Sequence, residues 1–322
     1  MNEKCTHFSE IALQRVLIGT KGGRQMGYAK AIVTIALGEK YLTTWRRVCE
    51  ANWHAYAQKY GYDIVCIDAP LDASARARQR SPSWQKCLIL GQDAMRKYDR
   101  VVWVDADILI NVSAAPSIVD GVPADKVGAV EALSAPTKEI YVQTLQRQYD
   151  FWNSTSLINY TGREYYANWG LQADFDEVVQ CGVLVLSPRY HRELLEKTYD
   201  TYEEKGGREW HMEMRPLSYE LVRAGAVCWI DHRFNLNWGE QRALHYPFLL
   251  DAGQPGGTSL AARVQRKLRR LVSAPRRRRV SRLCATVAFL NSFMLHFGGS
   301  DLTDMELVDL NVSSWRDCRA LF

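Results

Sequence analysis

Two aspartates one residue apart, Asp105 and Asp107, interrupt the otherwise apolar run VVWVDADILI at residues 101–110. Continuous hydrophobic residues of this kind mark a strand buried on both faces, where polar alternation is absent. If the strand continues, the two carboxylates share a face; if it ends, they flank a tight turn. Either way they converge, and burying both as anions without a partner costs on the order of several kcal/mol. Something positive must then lie between them. The same residues would also serve a strand that ends at the surface and opens its turn with solvated carboxylates.

Convergent carboxylates can hold a divalent cation, and oxygen ligands suit magnesium or manganese. His296 is the candidate third ligand, because the LHFGG stretch sets it beside Gly298 and Gly299, which let a ligand approach the backbone closely. One nitrogen ligand moves the preference from magnesium toward manganese. A histidine between apolar residues equally fits a satisfied core position, so the order of the other landmarks along the chain bears on the choice.

The elements that would position these residues read as strands alternating with helices. AIVTIAL (31–37) is the first expected strand. Tyr41, Trp45, Val48, Asn52 and Tyr56 then recur near helical spacing, with Gly61 as a fitting stop. YDIVCID is a second strand. After the loop LDASARARQRSPS, the spacing of Trp84, Leu88, Gly91 and Met95 predicts a helix. VVWVDADILI is the third strand and VGAVEA the fourth. Residues 136–175, rich in tyrosine and tryptophan, are irregular and are expected to form helices and loops along one wall of a cleft. CGVLVLSP (181–188) is a further buried strand, with Ser187 and Pro188 at the cap and first position of the next helix. RPLSYELVRAG predicts a helix and AVCWID a strand after it. This alternation implies an α/β fold with a mostly parallel sheet and ligands bound beyond the carboxyl ends of its strands, where Asp105 and Asp107 lie.

Taken in order, AIVTIALGEKYLTTW, SWQKCLIL, VVWVDADILI, CGVLVLSP, PLSYEL, WIDHRFN and HFGG resemble the landmarks of GT-A-fold glycosyltransferases. The resemblance is greatest to the retaining families numbered eight and thirty-four, which include bacterial lipopolysaccharide galactosyltransferases and plant xyloglucan xylosyltransferases. It covers residues 30–239 and 291–299. It implies a GT-A, Rossmann-like mixed sheet, mostly parallel and flanked by helices. It also implies that Asp105, Asp107 and His296 bind manganese, with magnesium as the alternative ion, and the diphosphate of a UDP-sugar. By the same resemblance Thr34, Ala36, Leu37 and Tyr41 would contact the uridine, and Lys86 would lie close to the donor. Gln180 and Gly182 would line the donor-sugar pocket, and Gly299 would complete the donor site. The chain departs from the family at MEMRPLSYEL, where Glu213 stands at an aspartate position and Met214 at the neighbouring polar one. Glu213 would orient an acceptor hydroxyl or stabilise an oxocarbenium-like centre, with Asp105 near the ribose or donor sugar and Arg215 paired to Glu213 or to phosphate.

A chain of 322 residues can bury a sizeable core, and its net charge of +5 is modest. The cysteines form no C-x-x-C pair and several lie inside apolar runs, which reads as free thiols in a reducing compartment. MNEKCTHFSE lacks the pattern of a signal peptide, so the chain is placed in the cytoplasm, peripheral to the inner face of the membrane. The expected organisation is an N-terminal lead (1–29), a GT-A catalytic domain (30–254), a basic loop or amphipathic helix (255–284) and a C-terminal segment completing the site (285–322). In the basic segment, RVQRKLRRLVSAPRRRRVSR (263–282) carries many arginines and no acid. Val264, Leu268, Leu271 and Val272 fall on one helical face, the pattern of an interfacial helix on anionic lipid; a solvated charge run or a lid over the donor would use the same residues. ALGEKYL after the first strand lacks the glycine- and arginine-rich phosphate loop of a nucleotidyltransferase. A nonenzymatic protein that binds anionic membrane or nucleic acid through the basic segment is the alternative to a transferase acting on a glycan or lipid-linked acceptor. Nucleic acid is not the expected partner of the enzyme.

Overall fold

Apolar runs, punctuated by glycine and proline, build the elements that carry the site. A computed structural model describes residues 29–132, 137–152, 158–159, 161–205, 212–250, 260–314 and 316–317. The first half contains β1 (Lys30–Ile35), α1 (Glu39–Val48), α2 (Glu50–Tyr60), β2 (Asp63–Ile67), α3 (Ala75–Arg78), β3 (Arg100–Val104), β4 (Ile108–Ile110) and β5 (Val127–Glu131). The second half contains α4 (Lys138–Trp152), α5 (Gly162–Ala167), β6 (Val179–Leu186), α6 (Pro188–Thr201), α7 (Met214–Arg223), β7 (Val227–Trp229), β8 (Leu236–Asn237), α8 (Trp238–His245), α9 (Leu260–Leu290) and β9 (Met294–His296). The N-terminal lead up to residue 28, residues 255–259 of the basic segment and parts of 136–175 lie outside the described residues.

Six strands form the main sheet in the order β2-β1-β3-β6-β5-β7. β1 is parallel to β2 and β3, β5 is parallel to β7, and β6 runs against both of its neighbours. The sheet is thus mixed and mostly parallel, as the alternation of strands and helices predicts. Both faces are covered. Ile32, Val102 and Val104 pack with Trp45 and Trp53 on one side. Ala31, Val33, Val101 and Trp103 pack with Trp84 and Leu217 on the other. Burial on both faces explains why these strands read as unbroken apolar runs.

Three elements differ from their sequence readings. VVWVDADILI is two strands: β3 stays in the main sheet, and β4 leaves to form a three-stranded sheet in the order β4-β9-β8. The aspartates occupy the turn between them. Residues 82–91 form a 3₁₀ helix in place of an α-helix. Buried Trp84, Cys87 and Leu90 recur every third residue, the repeat that a 3₁₀ helix aligns in one row. The helix expected to run from Tyr41 to Gly61 breaks at buried Cys49, whose thiol reaches the Ala106 carbonyl at 3.6 Å. Gly61 does end α2, in the left-handed conformation at φ 73°.

Pro188 opens α6, but the Ser187 hydroxyl donates to the Asp99 carbonyl at 2.8 Å and does not cap the helix. Cys49, Cys66, Cys87, Cys181, Cys228 and Cys284 are free thiols. α9 runs unbroken across both the basic segment and the first residues of the C-terminal segment, with Pro275 inside it. The apolar face expected from Val264, Leu268, Leu271 and Val272 lies outside the described side chains.

Candidate active site

The carboxylates sit where the two sheets part. The Asp105 N–H still donates to the Gly182 carbonyl at 2.9 Å, one step beyond the ladder of β3 and β6. The chain then turns at Ala106 and Asp107, and Phe297 N–H donates to the Asp107 carbonyl at 2.9 Å, so that β4 begins its pairing with β9. Ile108 stands opposite His296 in that register. The free edge of β4 is held by α2. The Asn52 side chain donates to the Ile110 carbonyl at 2.7 Å and accepts from its N–H at 2.8 Å, as a neighbouring strand would. Trp53 Nε1 donates to the Ile108 carbonyl at 2.8 Å.

Within this frame the two oxygens of Asp105 have different environments. Trp103, two residues earlier on the same strand face, donates its indole N–H to Oδ1 at 2.7 Å, and Lys86 Nζ lies 3.3 Å from the same oxygen. Oδ2 faces the histidine, with His296 Nε2 at 3.7 Å. That nitrogen lies 3.3 Å from Asp107 Oδ1. Ligand atoms of Asp105, Asp107 and His296 all fall within 4.8 Å of one another. Two glycines make room for the ring. A Cβ on Gly182 would come within 2.5 Å of His296 Cε1, and one on Gly298 within 2.7 Å of Nε2. Gly299 supplies the turn that follows, at φ 71°.

Lys86 is the internal countercharge. Its Nζ lies 2.7 Å from Glu213 Oε1 and donates to the Cys181 carbonyl at 3.1 Å. Burial opposes the ammonium charge, but Asp105 and Glu213 outweigh it and raise the Lys86 pKa. Burial likewise opposes the charge on Asp107, yet His296, by its charge and a hydrogen bond, holds that carboxyl below its ordinary value. The imidazole moves the other way: burial disfavours its cation, and Asp107 overcomes this to raise its pKa. Burial pushes Asp105 up, more than Lys86 and His296 draw it down. Two acids crowded beside one histidine are a donor set short of positive charge, and a divalent cation fits that need.

Sequence-expected residues divide into two groups. Asp105, Asp107, His296, Lys86, Glu213, Gln180 and Gly182 belong to one connected network. Thr34, Ala36, Leu37 and Tyr41 lie at and beyond the end of β1 and stand outside it. The Thr34 hydroxyl is buried with no hydrogen-bond partner among the described residues. Ala36 N–H donates to the Ile67 carbonyl at 2.9 Å, and Tyr41 is 52% exposed rather than part of the core. Glu213 precedes α7 and follows Met212, a non-glycine residue at φ 34°. Arg215 lies buried with its guanidinium 4.4 Å over the Tyr165 ring, and it is Lys86 that pairs with Glu213. A cavity of about 1650 Å³ lined by Lys30, Lys59, Asp99 and Arg100 lies at the opposite ends of β1 and β3, away from the carboxylates.

Sequence reasoning missed Asn235, whose Oδ1 lies 2.9 Å from His296 Nδ1, and Trp103. The Trp103 signal was present, since strand periodicity puts residues 103 and 105 on one side. Asn235 closes the WIDHRFN landmark, but its role there was not drawn from it; it reaches the site through a 3₁₀ turn at His232–Asn235.

No protein-family model matches the sequence, and no curated protein matches it. Among solved structures the chain is similar to the bifunctional glycosyltransferase WbbM in its apo form, at 13% identity over 93% of this chain and 52% of that one, with a TM-score of 0.51. It is also similar to a glycosyltransferase involved in glycosylation of the major capsid of PBCV-1, at 12% identity over 87% of this chain and 100% of that one, with a TM-score of 0.46. A third likeness is to the galactosyltransferase LgtC in complex with donor and acceptor sugar analogs, at 13% identity over 91% of this chain and 100% of that one, with a TM-score of 0.43. The WbbM likeness shows the fold, and the chain spans about half the length of WbbM. That fold is the GT-A fold of glycosyltransferases.

Proposed function

We propose that this chain is a metal-dependent glycosyltransferase that moves a hexose, galactose or glucose, from a UDP-sugar to a hydroxyl of a glycan or lipid-linked acceptor, with retention of anomeric configuration. The observation that carries the reading is the convergence of Asp105, Asp107 and His296 at the joint between two sheets, beyond the carboxyl end of β3. Asp105 Oδ2, Asp107 Oδ1 and His296 Nε2 would hold manganese, with magnesium as the alternative ion. When bound, the cation offsets the charge that grows on the diphosphate as the glycosidic bond breaks.

The chain's own residues supply the rest. Trp103 and Lys86 hold Asp105 Oδ1, which keeps the other oxygen turned into the site. Lys86 also pairs with Glu213 at 2.7 Å and fixes it at the donor side, where its carboxylate stabilises positive charge at the anomeric carbon or orients the incoming hydroxyl. Gln180 offers its amide to the donor sugar beside Gly182. Thr34 and the backbone at Ala36 and Leu37 receive the uridine, and Tyr41 has the exposure a stacking partner needs. Gly299 bounds the donor site after β9.

Arg276 and Arg278 are exposed on α9, where the chain is dense in arginine, which supports peripheral contact with anionic lipid on the cytoplasmic side. No helix among the described residues is long and apolar enough to cross a membrane. UDP binding tests the assignment. Equilibrium dialysis with manganese should show saturable UDP binding that chelator and Asp107→Ala each remove; binding indifferent to both would sink the metal-centred reading.

A further inference from the structure

A chain of hydrogen bonds behind His296 has its polarity fixed from the far end. The Gly182 backbone N–H can only donate, and it donates to Gln180 Oε1 at 2.7 Å. Asn235 Nδ2 lies 3.1 Å from that same oxygen and 3.5 Å from the Gln180 carbonyl, and both are acceptors. The amide nitrogen of Asn235 must therefore face Gln180. Its oxygen then faces His296 Nδ1, at 2.9 Å. A carbonyl oxygen accepts and cannot donate, so Nδ1 carries a proton. Nε2, the nitrogen that faces Asp105 and Asp107, is then the one that gives up its proton when a cation takes the site, leaving its lone pair for the ion.

The opposite arrangement is costly. With Asn235 turned over, its oxygen would meet Gln180 Oε1 and the Gln180 carbonyl, acceptor against acceptor. Its nitrogen would force Nδ1 to accept and hold the neutral ring's proton on Nε2, where it would keep a cation from the nitrogen. Asn235 and His296 are each 5% exposed, so water has little room to repair the mismatch.

We propose that Gln180 and Asn235 are positioning residues that lock His296 in the tautomer a divalent cation requires, with the Gly182 backbone as the fixed end of the relay. The proposal rests on the metal-centred reading above. It adds that a residue with no contact to the ion sets the affinity for it. Partners behind a metal-bound histidine commonly change affinity by about 10- to 100-fold.

The test is manganese affinity of the full chain, read by electron paramagnetic resonance of free Mn²⁺, with thermal melts to establish that each variant is folded. Gln180→Leu and Asn235→Leu should weaken binding by about tenfold or more, whereas Gln180→Glu, which keeps the acceptor oxygen that Gly182 and Asn235 use, should stay within about threefold of the unaltered chain. Gln180→Met replaces Gln180→Leu if the latter does not fold. Unchanged affinity in Gln180→Leu, or an equal loss in Gln180→Leu and Gln180→Glu, would overturn the relay while leaving the metal site intact. A chain that fails to bind manganese before any substitution would overturn the metal reading itself, and the relay with it.

Discussion

Lys86 and Glu213 form an ion pair of 2.7 Å in which both side chains are nearly sealed from water, at 4% and 5% exposure. The same ammonium lies 3.3 Å from Asp105, so one cation serves acids from two different elements. Removing one partner of a buried pair leaves an uncompensated charge, which commonly costs about 3–5 kcal/mol. Lys86→Met should therefore destabilise the chain by about that amount in urea denaturation, and Lys86→Met combined with Glu213→Leu should recover a large part of it. Equal loss in the single and double variants would mean that Lys86 acts by packing and not by charge.

Gly182 and Gly298 bracket the His296 ring. Because an added Cβ would meet the imidazole at 2.5 or 2.7 Å, Gly182→Ala and Gly298→Ala should each displace the ring and weaken manganese binding by about tenfold or more. Calorimetric titration checks this. Wild-type affinity in both variants would show that the ring is free to move without penalty.

The free edge of β4 is bonded by two side chains of α2, Asn52 at Ile110 and Trp53 at Ile108. Asn52 makes both a donor and an acceptor bond to Ile110, so Asn52→Ala leaves two backbone groups without partners, at about 1–3 kcal/mol each where water cannot reach them. Chemical denaturation should register a loss in that range. An effect under about 0.5 kcal/mol, typical of an inert surface position, would remove Asn52 from the account of the site.

Glu240, in the first turn of α8, is pushed up from 4.5 to about 7 by burial, with His296 pulling it down only partly. A carboxyl whose folded pKa is raised binds more protons folded than unfolded. Its contribution to stability is fully present below pH 4.5 and is lost as pH rises toward about 7. In metal-free protein Glu240→Gln should thus be near neutral at acid pH and stabilising at pH 8, by about 1–3 kcal/mol. A pH-independent effect in thermal melts at both pH values would contradict the placement of this group.

The main sheet was legible because each central strand is a continuous apolar run, and the helices between them follow from spacing and from stops such as Gly61. The split of VVWVDADILI was not. Ile108, Leu109 and Ile110 are as apolar as the residues before Asp105, and what turns them out of the main sheet is β9 and Asn52, both remote along the chain. Asp105, Asp107 and His296 were legible by type, as two carboxylates at a strand end and a histidine beside glycines, whereas Lys86 and Glu213 entered only through the ordered landmarks that resemble GT-A glycosyltransferases. The Lys86–Glu213 pair was not legible, since nothing local says that Lys86, remote along the chain, and not only the nearby Arg215, lies against Glu213. The 3₁₀ helix at 82–91 escaped because a three-residue repeat can be mistaken for the mixed threes and fours of an α-helix.

Release of UDP from a panel of UDP-sugars tests the central claim most directly, measured with manganese and with chelator for the unaltered chain and for Asp107→Ala. The site predicts slow turnover of one hexose donor that requires both the ion and Asp107. Turnover that persists in chelator or in Asp107→Ala, or the absence of both turnover and manganese-dependent UDP binding in the same samples, would contradict it.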